Sequence, residues 1–232
     1  MQRKRPQPWP IRITHWLNVY LLIVMAGSGL QILVAYPFMG PQGDRAGWYP
    51  LDGWQPGPLL TVGDWLAGGR HWHFAFAWYF VATGVVYVGY LFGSGEWRRR
   101  LFLPRRDLPN AVETAKYYLR LRGTPPPQGL YNGLQRFAYT GTLFLGALAA
   151  LTGLALYKPV QLQGLARLFG GYDPARAIHF LTLAALAGFT VVHVVLVVLH
   201  PRALASMFTG GRKEDVHEEE RYEQPPGRPP PP

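Results

Sequence analysis

Apolar residues in this chain gather into four blocks, roughly 11–36, 72–92, 134–157 and 175–200, separated by polar or glycine- and proline-rich stretches. Each block is about 20 residues or longer, the length an α-helix needs to cross the hydrocarbon core of a bilayer. The charges they contain, Arg12, Arg136 and Arg176, sit near their ends. The pattern predicts an all-α membrane protein, a four-transmembrane-helix bundle over residues 1–212. Residues 213–232, acidic and then proline-rich ("EEERYEQPPGRPPPP"), are expected to form a disordered tail. The first block follows "RKR", as a secretory signal would, but it is too long for a signal core and no small-residue cleavage site follows. It is expected to be a retained span.

The connections carry information of their own. Residues 37–71 are rich in Trp, Gly and Pro ("GWYPLDGWQPGP"), which suits either an aromatic belt at the membrane interface or the docking of an outer partner. The stretch "DLPNAVETAKYYLRLRG" opens on a capping Asp107 and closes on Gly123, which predicts a short helix on the inner membrane surface.

Charge orients this arrangement. The chain has 23 Lys and Arg against 13 Asp and Glu, a net charge of +10. The positive residues cluster at the N-terminus (Arg3, Lys4, Arg5, Arg12) and between blocks two and three (Arg98, Arg99, Arg100, Arg105, Arg106, Lys116, Arg120, Arg122). By the positive-inside rule both termini and the middle connection are cytoplasmic and the other two connections face outward. The basic excess therefore argues for membrane orientation and against a nucleic-acid partner. With no cysteine, disulfides, thiolate-held iron–sulfur clusters and covalent CxxCH haem attachment are excluded.

The chemistry-bearing residues are histidines, and ionisable groups at membrane depth are costly enough to be read as functional. Of seven, all but His217 lie in or at the ends of the blocks: His15 in the first, His71 and His73 in the second, His179, His193 and His200 in the fourth. Neutral imidazoles without thiolates or carboxylates beside them suit axial ligation of haem iron. His179 and His193 are separated by about 21 Å along one helix with azimuths differing by about 40°, so one face offers two ligands at two depths. His73 or His71 would pair with His179 on the outer side, and His15 with His193 or His200 on the inner side. His200 would part the two irons by roughly 31 Å, the whole hydrocarbon thickness, so His193 is preferred. His71 and His73 point about 200° apart, and the small residues Ala77, Thr83 and Gly84 near the His73 face favour His73.

Gly29, Gly141, Gly146 and Gly153 lie where spans one and three would pass a flat macrocycle, although small residues also serve helix packing in lipid. Arg12, Arg70, Arg136 and Arg176 sit at span ends, placed either for haem propionates or as snorkelling anchors.

Several segments together carry a family resemblance: "RITHWLNVYLLIVMAGSGLQI", "HWHFAFAWYFVATGVVY", "LTGLALY" with "GGYDPARAIHF", and "HPRALASMFTG". They resemble the bacterial di-haem cytochrome b family, which includes the membrane subunits of nickel–iron hydrogenases and formate dehydrogenases. The likeness is nearest to cytochrome b subunits paired with sulfite-oxidase-like molybdopterin oxidoreductases and spans about residues 9–212. It implies an inner-membrane protein with two non-covalent, bis-histidine b haems on His15, His73, His179 and His193. It also implies a quinone near the inner haem, where "YNGLQR" points to Asn132 and Gln135, residues that also suit a helix cap.

The leading functional expectation is an electron-transfer subunit between the quinone pool and a periplasmic redox partner, a molybdopterin oxidoreductase or a cytochrome c. The competing one is a stand-alone quinone-linked membrane oxidoreductase acting on superoxide or another small oxidant. A histidine-based transporter is disfavoured because the spans lack the carboxylates that proton relays usually include.

Overall fold

The computed structural model describes residues 7–49, 52–126 and 130–211. Among these the protein is all-helical, with no strand. Four long helices, α1 (Trp9–Ala35), α2 (Leu66–Ser94), α5 (Gly133–Tyr157) and α7 (Tyr172–Leu199), are joined by four shorter α-helices. The short helices are α3 (Trp97–Arg100), α4 (Pro104–Tyr118), α6 (Gln163–Leu168) and α8 (Pro201–Thr209). The long helices have 27, 29, 25 and 28 residues. At 1.5 Å per residue they run about 38–44 Å, enough to cross a hydrocarbon core of about 30 Å, and all four are apolar enough to do so. The tail 213–232 and the basic residues Arg3, Lys4 and Arg5 lie outside the described residues.

Helix ends follow local chemistry more closely than hydropathy does. α2 begins at Leu66, ahead of the apolar block at Trp72, because polar Arg70 and His71 are helical without being lipophilic. α7 opens with Asp173 in its first turn, where a negative charge complements the helix dipole. Pro201 starts α8 at a position where its missing N–H costs nothing, with His200 as the N-cap. The surface helix expected from Asp107 to Gly123 is instead α4, Pro104–Tyr118, which starts one turn earlier. Asp107 lies inside its first turns and accepts the N–H of the N-cap residue Leu103 at 2.7 Å.

The chain divides into two compact units. The first (residues 1–13, 87–144 and 189–232) is organised by buried polar groups. Arg100 donates from Nε to Glu96 (3.0 Å) and from Nη1 to the side-chain oxygens of Gln7 and Tyr131 (both 3.1 Å). Asp107 takes hydrogen bonds from Arg106 (2.7 Å) and Arg136 (3.4 Å) as well as Leu103. Burial pushes the Asp107 carboxyl up, yet Arg106, the Leu103 N–H and Arg136 together hold it below the ordinary carboxylate range.

The second unit comprises residues 14–86 and 145–188. In it the Trp-rich connection is more than an interfacial belt. Met39, Ala46 and Tyr49 fold into a cluster with Leu33, Leu30 and Phe180, and Tyr49 meets Phe180 edge-on at 5.3 Å. Arg176 donates to the Phe38 carbonyl, and the Val62 N–H to that of Gly27 at 3.1 Å. Trp48, Trp54 and Trp65 remain exposed.

Candidate functional site

Two imidazoles face each other in the second unit. His73 of α2 and His179 of α7 have ring centroids 6.1 Å apart and planes inclined at 77°. Two metal–nitrogen bonds of about 2.0–2.1 Å with half a ring at each end make an axis of about 6 Å, so the pair has the spacing of two axial ligands on one metal.

Each ring is held from a neighbouring helix. Ser28 Oγ of α1 lies 3.0 Å from His73 Nδ1, and Thr152 Oγ1 of α5 lies 2.9 Å from His179 Nδ1. The next residue in each case is a glycine. A Cβ on Gly29 would stand 3.3 Å from His73 Cε1, and one on Gly153 would stand 3.2 Å from His179 Cε1, so the rings use the space that the missing side chains leave. A ring tethered through Nδ1 keeps Nε2 for the metal, which is the usual arrangement for a ligating histidine. The donor set and its cradle fit a bis-histidine haem.

The remaining histidines are distributed otherwise. His71 is exposed on the first turns of α2. His200 is exposed beside the Leu196 carbonyl, 2.8 Å from its Nδ1. The two inner candidates fall in different units. His15 stands edge-on to Trp16 at 5.1 Å. His193 stacks on Phe189 at 5.5 Å and 17°, with Tyr139 edge-on at 6.4 Å.

The four arginines have separate engagements. Arg12 caps the end of α8, donating to the carbonyls of Met207 (3.1 Å) and Phe208. Arg70 is exposed and lies over the Phe74 ring at 5.5 Å. Arg136 is fully buried and paired with Asp107, and Arg176 binds the Phe38 carbonyl. Asn132 and Gln135 form a reciprocal cap on α5: Gln135 N–H donates to Asn132 Oδ1 (2.8 Å) and Asn132 N–H to Gln135 Oε1 (3.1 Å). Both amide oxygens are thus occupied by the cap, which does not use their NH₂ groups; Asn132 is buried and Gln135 half-buried.

The comparisons with known proteins decide the family. Residues 7–210 match the family described as prokaryotic cytochrome b561. The chain belongs to this family. It is also 35% identical over 208 residues to a protein of Azospira oryzae named "Putative protein-methionine-sulfoxide reductase subunit YedZ1". That match covers 88% of this chain and 94% of the relative. No solved structure matches. As a cytochrome b561-family member with four membrane-length helices, the chain is a multi-pass inner-membrane haem protein of electron transport.

The sequence pattern singles out Gly29 and Gly153 but not the hydroxyls that precede them. The dipeptides Ser28-Gly29 and Thr152-Gly153, one in each of the two spans that do not supply the facing imidazoles, are the signal that could have found them.

Proposed function

We propose that this cytochrome b561-family protein is a di-haem electron-transfer subunit that carries electrons between the quinone pool and a redox partner outside the membrane. The observation that carries the reading is the His73–His179 pair at 6.1 Å, each ring tethered at Nδ1. His73 and His179 would hold the outer b haem, and His15 and His193 the inner one, with both termini in the cytoplasm. Bound there, haem b exchanges one electron at a time between ferrous and ferric iron. The protein's part is to fix both axial positions, exclude further ligands and hold the macrocycle at a chosen depth.

The named relative, a putative protein-methionine-sulfoxide reductase subunit, supports an outward direction of flow. Reducing a sulfoxide to a thioether takes two electrons and two protons and releases water, so the subunit would deliver two successive single electrons from quinol to a partner that performs the oxygen chemistry. Quinol would dock near Asn132 and Gln135, whose free amide N–H groups can donate to its oxygens. Of the two candidate partners, a cytochrome c would only pass electrons on, whereas a molybdopterin oxidoreductase fits oxygen-atom removal.

The test uses the purified full-length protein. Two extractable haems per chain, reduced by a water-soluble quinol and reoxidised only after an outer redox protein is added, is the expected result. One haem per chain would overturn the di-haem reading. Unaided turnover of superoxide would replace the subunit by a stand-alone oxidoreductase.

A further inference from the structure

The hydroxyls at the outer imidazoles follow one design written twice. Ser28 Oγ lies 2.6 Å from the carbonyl of Val24, four residues back, and 3.3 Å from that of Met25. Thr152 Oγ1 lies 2.7 Å from the carbonyl of Leu148, also four back, and 3.2 Å from that of Ala149. A carbonyl can only accept, so each hydroxyl spends its single proton on its own helix. Toward the imidazole it can then only accept, and the ring nitrogen must donate. The hydroxyl at each Nδ1 therefore calls for a proton there, which leaves Nε2 of both neutral rings unprotonated.

The glycines belong to the same device. Gly29 directly follows Ser28, and Gly153 directly follows Thr152. With no Cβ, each leaves room for the imidazole beside its hydroxyl; a Cβ at either position would come within 3.3 or 3.2 Å of its ring.

We propose that Ser28-Gly29 and Thr152-Gly153 form a paired collar that locks His73 and His179 in the Nδ1–H tautomer and sets the electron affinity of the outer haem. Ser28 and Thr152 are positioning residues, acting through the histidines. The inference rests on the proposed ligation by His73 and His179. Accepting a hydrogen bond from Nδ1–H gives the imidazole partial imidazolate character, makes Nε2 a stronger donor and favours ferric over ferrous iron. Removing the acceptor shifts that preference the other way.

The experiment is a redox titration of purified holoprotein, with haem counted per chain. Ser28→Ala combined with Thr152→Val should keep both haems bound. It should weaken the ferric preference of one haem about tenfold, a rise of about 59 mV for a one-electron couple. Thr152→Ser, which keeps the hydroxyl, should titrate as the parent does. Unchanged potentials in the double variant with both haems bound would overturn the collar while leaving the ligation standing, because a hydroxyl serving only its own helix would alter stability and not potential. If the double variant fails to assemble, Thr152→Val and Ser28→Ala are titrated singly, and no shift in either overturns the proposal. Retention of both haems in His73→Ala would instead overturn the ligation itself.

Discussion

The rings of His73 and His179 meet with their planes 77° apart. On the proposed ligation of one haem iron by both rings, this angle would have an electronic consequence. Perpendicular axial imidazoles donate into two different iron dπ orbitals and leave them nearly degenerate, whereas parallel rings split them. The oxidised protein should therefore show a strongly anisotropic low-spin EPR signal with a large maximum g value from one haem. A signal set consisting only of rhombic, parallel-ring spectra would contradict the ring geometry.

Ligand assignment is tested by counting haem. His73→Ala and His179→Ala should each remove the outer haem, and His193→Ala the inner one. His71→Ala and His200→Ala should retain both, since both side chains are exposed. Loss of haem in His200→Ala would exchange the inner ligand.

Gly153 tolerates little. The Cβ of an alanine would already press His179 Cε1 at 3.2 Å, and the branched atoms of a valine have no space beyond it. Gly153→Val should cost about 1–3 kcal/mol of overpacking strain and tilt the ring off its axis. The outer haem should be bound substoichiometrically, as haem counted per chain will show.

Asp107 links acid sensitivity to a buried pair. Its carboxyl titrates below the ordinary range, so its stabilising contribution is complete above that range and is lost as pH falls through the depressed value. Asp107→Asn should reproduce the loss at neutral pH by leaving fully buried Arg136 without its carboxylate, at a cost of about 3–5 kcal/mol. Thermal unfolding in detergent should show a lower midpoint at pH 7 and a weaker fall on acidification through the carboxylate range than in the parent.

Asn132 and Gln135 serve the helix before any ligand. Asn132→Ala should cost about 0.5–2 kcal/mol through the lost cap. Asn132→Asp and Gln135→Glu keep the acceptor oxygens and the cap while deleting the amide N–H groups. If quinol leans on those donors, both variants should bind two haems and be reduced more slowly by quinol. Parental rates in both would move the quinone elsewhere.

Four membrane-length helices and the place of each histidine along them were legible in the chain itself, because hydropathy and helical rise are properties of a segment and its solvent and require no partner. His179 and His193 share a face of α7 for the same reason. Helix rotation is different, since it is decided only when neighbouring helices pack. That is why the small residues on its face gave His73 only a mild preference over His71, whereas the packed structure turns His73 toward His179 and leaves His71 exposed. The same holds for Arg12, whose hold on the end of α8 bridges 195 residues, whereas the cap of Asn132 and Gln135 is local and legible in their spacing. Ser28 and Thr152 make the case most clearly. A hydroxyl followed by glycine is ordinary within its own helix, and it becomes a partner of a proposed haem ligand only when a second helix brings an imidazole within 3.0 and 2.9 Å, across sequence separations of 45 and 27 residues.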